Sequence, residues 1–482
     1  MNQLNTPLYD ALLNHIKKRP ISLHVPGHKY GRVFPDKGIE SYKSILPLDV
    51  TELSGLDDLH EPTEVILEAE DLLSSLYESR RSFFLVNGTT VGNLSMVLAV
   101  CQQNDLVLVQ RNCHKSIMNA LVLAGARPIF LSPEFDTDFQ VPTYVHEREV
   151  IQALEKYPKA KAIILTNPSY YGHTYDLKNI IKSAHDIDVP VLVDEAHGAH
   201  FGVGSPFPES SIKCGADIVV QSAHKTLPAM TMGSFLHFQS ELVPIEGLTF
   251  YLKSLQSSSP SYPIMASLDL ARYYLANKKE QGIVRIVQQY EEFREKLSSI
   301  PQLSVILSTN REIQQDPLKV TIQSRCRLSG YEIQALLENT GIYTELADPL
   351  NVLCVLPLEE IDINMITFKI QQALLGIEPT IMKEDKRYIA NEPIQSMNPL
   401  SYFELKSMKT AAVHLDESVN KVSAQTIVPY PPGIPLLLQG EIITSKHLEQ
   451  LEFLGKMGAK FQGGLVNNKI NIYEGEKEEK IK

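Results

Sequence analysis

The central part of the chain alternates short apolar runs with longer segments of helical character. Strands that are apolar throughout are covered on both faces of their sheet, and helical segments between such strands favour parallel connections. The pattern therefore predicts an α/β domain with a mainly parallel, doubly wound sheet. The seven apolar runs are SFFLV (82–86), LVLVQ (106–110), PIFL (128–131), AIILT (162–166), VLVDE (191–195), DIVVQ (217–221) and SFLHF (234–238).

The pattern changes after this region. Helical stretches at 283–300 and 331–340 surround the strand-like LKVTIQ (318–323), which predicts a smaller α+β domain. Apolar periodicity fades between about 379 and 400, as it does in a linker. The predicted division is an N-terminal segment (1–40), a large domain (41–284), a small α+β domain (285–378) and a C-terminal domain (396–482).

Length and charge narrow the class of protein. A chain of 482 residues exceeds a single core, since cores stop growing at roughly 250–300 residues. The formal net charge of −12 argues against nonspecific nucleic-acid binding, which needs a basic surface. The same charge is compatible with cationic substrates, although a highly charged surface also serves solubility alone.

The cysteines and the hydropathy of the chain indicate in which cellular compartment the protein lies. The five cysteines contain no C-x-x-C pair and are odd in number, so neither a disulfide framework nor a zinc site is predicted. The N-terminus lacks the apolar core of a signal peptide, and no run approaches the roughly eighteen apolar residues of a membrane span. These features predict a cytoplasmic protein that does not associate with membranes.

Polar residues follow five of the apolar runs directly. In sheets of this type ligands bind at the carboxyl ends of the strands, so these residues are the candidates for chemistry. They are Asn87-Gly-Thr-Thr90, Arg111-Asn-Cys-His114, Asn167-Pro168, Asp194-Glu-Ala-His197 and Ser222-Ala-His-Lys225.

Lys225 and Asp194 are the two residues of this set that indicate a specific chemistry most clearly. A lysine amine that is partly neutral can form an imine with a carbonyl compound, although a lone lysine in a loop is more often a surface residue. A carboxylate at the end of a buried strand is costly to ionise unless a cation faces it, and a protonated pyridine nitrogen would serve. Together the two side chains indicate a pyridoxal-phosphate (PLP) site.

The segment from Gly88 to Thr90 could supply the phosphate site. It combines a glycine turn, two hydroxyls and the start of a helix, and such a start attracts anions through its N–H groups and dipole. The same letters also describe an ordinary N-capped helix, and the two interpretations have about equal weight. His114 offers a ring that could stack on a cofactor, or it could be a structural histidine.

Two other interpretations are set aside. Asp-Glu-Ala-His at 194–197 resembles the acidic box of nucleic-acid-dependent ATPases, but the phosphate loop that such enzymes need is absent. The pairs His197/His200 and His24/His28 could be imagined as metal ligands, but each pair lies around a glycine turn. We therefore predict no metal site.

Seven motifs in a shared order resemble the fold-type-I ornithine/lysine/arginine decarboxylase family, in its short Gram-positive-type branch. The resemblance implies a PLP-dependent transferase-like (fold type I) large domain with a mainly parallel sheet, a smaller α+β domain and a C-terminal domain. The motifs are His24-Val-Pro-Gly-His-Lys29, Leu56-Asp-Asp-Leu-His60, Asn87-Gly-Thr-Thr90, Arg111-Asn-Cys-His-Lys-Ser116, Asp194-Glu-Ala-His-Gly198, Ser222-Ala-His-Lys225 and Tyr430-Pro-Pro-Gly-Ile-Pro435.

The resemblance also implies a role for individual residues. Lys225 would carry PLP as a Schiff base, Asp194 would face the pyridine nitrogen, and His114 and Ala196 would contact the two faces of the ring. The neighbouring subunit of a homodimer, or of a higher homo-oligomer, would contribute the stretch around Ser258. The remaining cofactor-binding residues would be Gly88, Thr89, Thr90, His197, Ser222 and His224, and the candidates for the distal group of the substrate are Glu345 and Asp348.

Three functions remain open from the sequence. The first is decarboxylation of arginine, lysine or ornithine to the corresponding amine and carbon dioxide, a step in polyamine biosynthesis. The second is a PLP-dependent aminotransferase or β-lyase acting on another amino acid. The third is a non-catalytic protein that keeps the PLP site, and neither the pattern nor the spacing of the residues chooses the substrate.

Overall fold

The computed structural model describes residues 1–380, 401–430, 434–463, 465 and 468–474. Nearly all of the predicted linker at 379–400, part of the proline-rich motif at 430–435 and the last eight residues lie outside these ranges. Within the described part of the chain, no helix is long and apolar enough to cross a membrane.

The helices vary from one turn to twenty residues, and short 3₁₀ segments at Ala199–Val203 and Leu415–Glu417 accompany them. In chain order the helices are α1 (Pro7–Lys17), α2 (Asp36–Tyr42), α3 (Val65–Tyr77), α4 (Gly88–Val100), α5 (Lys115–Ala124), α6 (Glu147–Lys156), α7 (Lys178–His185), α8 (Ala223–Thr226), α9 (Ile245–Leu255), α10 (Tyr262–Gln281), α11 (Val284–Ser298), α12 (Gly330–Asn339), α13 (Ile363–Ala373), α14 (Tyr402–Lys406) and α15 (Ser445–Lys456).

The strands agree closely with the apolar runs. All seven predicted strands are present, and each begins and ends within one residue of the predicted limits. In chain order the strands are β1 (Arg81–Leu85), β2 (Leu106–Gln110), β3 (Arg127–Leu131), β4 (Phe135–Asp136), β5 (Val141–Pro142), β6 (Ala162–Thr166), β7 (His173–Thr174), β8 (Val191–Asp194), β9 (Ile218–Gln221), β10 (Ser234–Phe238), β11 (Leu303–Ile306), β12 (Gln314–Gln315), β13 (Lys319–Ser324), β14 (Leu346–Ala347), β15 (Asn351–Val355), β16 (Thr410–His414), β17 (Val428–Tyr430), β18 (Lys460–Gln462) and β19 (Lys469–Tyr473).

The chain divides into two compact units, and each unit is discontinuous in sequence. The first unit contains residues 1–100 and 190–283, and the second contains 101–189 and 284–482. Both units therefore contain part of the predicted large domain. The division into four segments stays a prediction.

In the first unit four strands lie in the order β1-β10-β9-β8. Strand β8 is parallel to β9, whereas β10 is antiparallel to both β9 and β1. Every residue of β8, β9 and β10 is buried, which explains why these strands read as continuous apolar runs. Helix α4 packs tightly on this sheet at Gly92, where a Cβ would lie only 2.6 Å from the Val220 side chain.

The second unit contains parallel strands and an antiparallel sheet. Strand β2 is parallel to both β3 and β6, and an antiparallel sheet has the order β11-β13-β15-β14. Helices α11, α12 and α13 contact one another or this sheet, as the predicted α+β domain requires. Near the C-terminus, strands β16 and β19 pair, and a separate apolar cluster that includes Ile427, Leu437 and Ile443 forms a core. The predicted α/β class, with a smaller α+β region and a C-terminal domain, is confirmed.

Candidate active site

Lys225 lies just beyond the carboxyl end of β9, in the one-turn helix α8. Its Nζ is 3.0 Å from Nε2 of His197, which follows β8. The backbone joins the two segments as well, because the Ser222 N–H donates to the Ala196 carbonyl at 3.3 Å. The parallel pairing of β8 with β9 therefore brings a lysine amine and an imidazole into hydrogen-bond contact.

Asp194 is the last residue of β8, and its side chain is buried, with 2% of the residue exposed. One carboxylate oxygen accepts a hydrogen bond from Asn93 Nδ2 at 2.8 Å, and the other accepts from the Ala196 N–H at 3.1 Å. Both donors are neutral. Within the part of the chain that the structure describes, no cation forms an ion pair with this buried carboxylate.

Asn93 is a residue that the sequence analysis missed. It lies on α4 and is 1% exposed, among apolar neighbours such as Val91 and Met96. The available signal was a polar amide on a helix face that is otherwise apolar, since a buried amide needs a partner. Here the partner is Asp194, so α4 orients the carboxylate while its own first turn carries Thr89 and Thr90.

Two hydroxyls from separate segments meet at the start of α4. Thr89 Oγ1 lies 3.0 Å from Ser222 Oγ, so the first turn of α4 and the end of β9 meet. Gly88 has a φ of +76°, a backbone conformation that favours glycine, and its N–H donates to the Met232 carbonyl at 2.9 Å. Thr90 is exposed beside them. The hydroxyl pair and the start of α4 therefore lie together, as the predicted phosphate site would require.

His224 and Ser258 border this region of the first unit. The ring of His224 contacts the Gly233 carbonyl through Nδ1 at 3.0 Å, which orients it. Ser258 is exposed in the segment between α9 and α10. Its neighbour Ser257 donates its N–H to Asn87 Oδ1 at 3.4 Å, and the Ser257 carbonyl contacts His60 Nε2 at 2.8 Å. This exposed stretch therefore lies beside the residue that precedes Gly88.

The other predicted site residues belong to the second unit. His114 is the N-cap of α5, and its Nδ1 accepts hydrogen bonds from the hydroxyl and N–H groups of Ser116. These bonds leave the proton on Nε2 and fix the ring. Glu345 is exposed, and its N–H donates to the Leu353 carbonyl at 3.0 Å.

Asp348 has many partners. One carboxylate oxygen accepts from the Tyr171 hydroxyl and from Asn351 Nδ2 at 2.8 Å. The other accepts from the N–H groups of Leu350 and Asn351, both at 2.8 Å. Burial raises the pKa of Asp348, and these donors lower it in part.

Asp348 also lines a cavity of about 190 Å³ in the second unit. Its walls include Asn112 and Thr166, at the carboxyl ends of β2 and β6, so the cavity opens at the edge where ligands bind in such sheets. Arg111 lines it as well and forms an ion pair with Glu441 at 3.0 Å. Glu345 does not line this cavity.

A PLP cofactor fits the residues of the first unit. The ring nitrogen of bound PLP is cationic when protonated, and a buried carboxylate such as Asp194, held by two neutral donors, complements it. The converging hydroxyls of Thr89 and Ser222 suit the phosphate, and the Lys225 amine suits the aldehyde. Among the described residues, no group of three or more His, Cys, Asp or Glu could hold a metal ion.

Most of the chain matches the two domains of one protein family. The description "Orn/Lys/Arg decarboxylase, major domain" matches residues 6–317, and "Orn/Lys/Arg decarboxylase, C-terminal domain" matches residues 382–465. An uncharacterized protein of Bacillus subtilis (strain 168), YaaO, is 48% identical over 470 residues, which are 96% of this chain and 97% of YaaO. An arginine decarboxylase of Bacillus anthracis is 33% identical over 476 residues, with 96% of each chain covered.

More distant similarity extends to longer proteins and to solved structures. The inducible lysine decarboxylase of Escherichia coli (strain K12) is 24% identical over 581 residues, which cover 96% of this chain and 79% of that protein. The crystal structure of the Francisella novicida lysine decarboxylase has a TM-score of 0.81 at 21% identity and covers 98% of this chain and 81% of that one. A serine palmitoyltransferase of Sphingomonas wittichii has a TM-score of 0.51 at 18% identity, with 65% of this chain and 77% of that one covered.

Proposed function

This chain belongs to the Orn/Lys/Arg decarboxylase family, and on that premise we propose that its substrate is arginine, lysine or ornithine and its product the corresponding amine. It is a PLP-dependent decarboxylase, as the sequence predicts. One observation carries the assignment of the reacting amine. Lys225 Nζ lies 3.0 Å from His197 Nε2, one strand away from the buried Asp194.

The residues that would hold PLP follow from the contacts. Lys225 would bind its aldehyde carbon, and Asp194, oriented by Asn93, would accept a hydrogen bond from the pyridine nitrogen. Opposite unit charges about 3 Å apart attract by roughly 5 kcal/mol at an effective dielectric near 20. This attraction favours the protonated ring. Gly88, Thr89, Thr90, Ser222 and His224 would hold the phosphate, with His114, Ala196 and His197 about the ring.

Two side chains of this protein, Asp194 and Lys225, then control the positions of protons during the reaction. When bound, PLP supplies the electron sink for the pair that is released when the Cα–carboxylate bond breaks and carbon dioxide leaves. Asp194 holds the proton on the ring nitrogen that makes this sink effective. Lys225 then donates a proton to Cα, and its contact with His197 orients the amine for that transfer.

Similarity supports arginine as the first substrate to test. The arginine decarboxylase of Bacillus anthracis is 33% identical with nearly full coverage of both chains, against 24% for the longer lysine decarboxylase of Escherichia coli. For the distal group of the substrate, Asp348 and Glu345 are distinguished by position. Asp348 lines a cavity, whereas Glu345 is exposed outside it. This placement supports Asp348 over Glu345.

The proposal extends to the oligomeric state of the protein, its cellular compartment and the use of its product. We expect a homodimer in which the exposed stretch around Ser258 reaches the active site of the neighbouring subunit. Within the described residues, which include all five cysteines, no disulfide is formed, and this supports a reducing compartment such as the cytoplasm. An amine product from a basic amino acid would feed polyamine biosynthesis.

The decisive experiment identifies the product and the lysine. Purified protein with PLP is incubated with arginine, lysine and ornithine in turn, and amine and carbon dioxide are quantified by mass spectrometry. We expect equal amounts of amine and carbon dioxide from one of the three, and none from Lys225→Ala. Borohydride reduction followed by peptide mapping should label Lys225.

A matched control and two contrary results complete the design. Lys213→Ala removes a lysine that pairs on the surface with Glu78 at 2.8 Å, and it should leave turnover unchanged. Product that appears only with an added oxo-acid would indicate an aminotransferase. Bound PLP without any product would indicate a non-catalytic protein.

A further inference from the structure

A row of four buried polar side chains crosses the sheet of the first unit. Ser82 lies on β1, His237 on β10 and Gln221 on β9, while Glu195 follows β8 directly. These strands are neighbours in the order β1-β10-β9-β8, and each of the four residues is at most 1% exposed. We call this set the polar row. It ends beside Asp194.

In each hydrogen bond of the polar row, the acceptor is the group nearer to Glu195. Burial raises the pKa of Glu195 to about 7. Above that pH its side chain is a carboxylate, which only accepts, so Glu195 takes hydrogen bonds from Ser210 Oγ at 2.7 Å, the Ser211 N–H at 2.6 Å and Gln221 Nε2 at 2.6 Å. With its NH₂ group turned to Glu195, Gln221 presents Oε1 to His237 Nε2 at 3.1 Å. His237 therefore carries its proton on Nε2.

The hydrogen bonds at the Ser82 end of the row also point toward Glu195. His237 Nδ1 accepts from the Ser82 hydroxyl at 2.8 Å, and Ser82 in turn accepts from the Ser79 hydroxyl at 2.8 Å. Burial lowers the pKa of His237 to about 3, so its imidazole stays neutral. Each bond along the path from Ser79 thus points toward the carboxylate of Glu195.

Glu195 also belongs to the turn that carries the reacting residues. Its N–H donates to the Val220 carbonyl and its own carbonyl accepts from the Gly198 N–H, both at 2.9 Å. The Glu195 side chain packs on Gly198, where a Cβ would lie 2.7 Å from Glu195 Cγ. The same turn carries His197, which contacts Lys225.

We propose that Glu195 is a positioning residue of the decarboxylase: through the polar row it holds the turn 194–198, and so Asp194 and His197, in register with Lys225. This inference rests on the proposed role of Lys225. Both carboxylate oxygens of Glu195 are taken by Ser210, Ser211 and Gln221, so it acts through the turn and not on the reacting atoms. What matters is the reach and acceptor geometry of the side chain, and its negative charge is dispensable.

Glu195→Gln keeps the reach and removes the charge. In this variant the introduced amide oxygen can take the Ser211 N–H, while the introduced NH₂ group faces Ser210 and Gln221. Gln221 then turns its oxygen to that NH₂ group and its own NH₂ group to His237, which moves its proton to Nδ1 and donates to Ser82. The bonds along the row reverse and none is lost, so the turn keeps its position.

Glu195→Asp does the opposite, because it keeps the charge and shortens the side chain by one methylene. The shorter carboxylate cannot meet all three donors from the same backbone position, so the turn must shift. Displacements of about 1 Å in an active site reduce turnover by up to about a hundredfold. We expect kcat to fall at least about tenfold in Glu195→Asp and less than about threefold in Glu195→Gln, with KM nearly constant in both.

Two spectroscopic measurements separate positioning from a purely structural role. The pH titration of the absorbance of bound PLP reports the surroundings of Lys225, and it should shift in Glu195→Asp but not in Glu195→Gln. Selective ¹⁵N-histidine labelling should show His237 protonated on Nε2 in the wild type and on Nδ1 in Glu195→Gln. Ser240→Ala, outside the row, is the stability control: its buried hydroxyl accepts from the N–H groups of Leu242 and Val243, so we expect a lower Tm but unchanged kcat and titration.

Three outcomes would overturn the inference. If Glu195→Asp is more active than Glu195→Gln, the charge is what matters. If Glu195→Asp loses Tm as Ser240→Ala does and keeps its kcat and titration, Glu195 is only structural. A wild-type His237 protonated on Nδ1 would refute the direction of the row. Failure of borohydride to label Lys225 would instead refute the proposed function, and the histidine spectra would still test the row.

Discussion

The carboxyl ends of the strands look alike in sequence in the two units, but they use charge differently. In the first unit, the carboxylate of Asp194 meets only the neutral donors Asn93 and Ala196 among the residues that the structure describes. In the second, Arg111 pairs with Glu441 at 3.0 Å and also donates to the carbonyls of Pro435 and Leu436 at 2.8 and 3.2 Å. The first unit therefore has a buried charge that a ligand can compensate. In the second unit the charge of Arg111 is compensated within the protein.

The comparison gives a criterion for reading polar residues that follow buried strands. Where the protein itself compensates a buried charge, removing one partner destabilises the fold, and a buried negative charge that it leaves uncompensated is available to a cationic ligand. Among the described residues Asp348 also meets only neutral donors, but four of them reach its two carboxylate oxygens, against two for Asp194. Any role for Asp348 in binding the distal group would therefore require a rearrangement of Tyr171 or Asn351.

The largest expected effect separates two buried aspartates of the first unit. Asp194→Asn removes the charge that faces the pyridine nitrogen, and we expect kcat to fall about a thousandfold or more, since roughly 5 kcal/mol of attraction is lost. The stability of the PLP-free protein should stay equal or rise, because an uncompensated buried charge disappears. Steady-state kinetics and urea unfolding measure the two effects.

Asp269→Asn is the matched control, and it should show the reverse pattern. Asp269 is fully buried and pairs with the equally buried Arg272 at 2.8 Å. Its loss leaves a buried guanidinium with one partner fewer and should lower the free energy of unfolding by about 3–5 kcal/mol. The kcat of the folded protein should change less than about twofold. If Asp194→Asn instead lost stability and kept its kcat, the criterion would fail.

A second prediction concerns the ion pair between Arg111 and Glu441. Their side chains are 17% and 6% exposed, so Arg111→Met leaves a nearly buried carboxylate without its charge partner. We expect the free energy of unfolding to fall by about 3 kcal/mol. Adding Glu441→Gln should recover part of the loss, and a double-mutant cycle in urea measures the coupling. Additive losses would mean that the pair contributes little.

Glu70 tests whether a buried carboxylate that is only partly compensated, away from the strand ends, affects stability alone. Burial raises the pKa of Glu70 to about 8, and the Phe84 N–H at 2.9 Å and Arg81 at 3.8 Å lower it only in part. Because the folded pKa is raised, the protonated form is favoured, and stability falls as the pH rises from 4.5 toward 8.

The Glu70→Gln variant should remove this pH dependence. A shift from 4.5 to about 8 corresponds to an upper bound of roughly 5 kcal/mol at 1.36 kcal/mol per unit, and we expect about half of it to be measured. Urea unfolding between pH 5 and pH 8 should show a shallower decline for the variant than for the wild type. Equal slopes would place the titration elsewhere, and a large loss of kcat would connect Glu70 to the active site.

Local pattern was sufficient for the strands, and it was insufficient for the contacts between them. Each of the seven apolar runs predicted its strand within one residue, because burial on both faces leaves a continuous apolar signal. The polar row escaped prediction because its members meet only through strand order. Ser82 and His237 face each other across 155 residues of sequence.

Asn93 and Asp348 also show that local sequence does not reveal contacts between residues far apart in the chain. The partner of Asn93 is 101 residues away, so a single amide in an apolar helix gave no indication of what it orients. The family resemblance made Asp348 one of two candidates for the distal group of the substrate, but local sequence could not show that its hydrogen bonds depend on Tyr171, 177 residues away. Which residues are polar and follow a strand can be read from the chain, but which charges are compensated depends on the fold.

The smallest expected effects compare one helical glycine from each unit. Gly92→Ala would place a Cβ 2.6 Å from Val220 Cγ1 and 2.8 Å from Leu85 Cδ1, so α4 must move away from the sheet. We expect a loss of about 2 kcal/mol and weaker PLP binding, because α4 carries Thr89 and Asn93. Gly455→Ala, on α15, meets nothing within 4 Å and should stabilise by about 0.5–1 kcal/mol. If Gly92→Ala lost stability while PLP bound as in the wild type, close packing of α4 would serve the core alone, and the placement of its first turn would not depend on it.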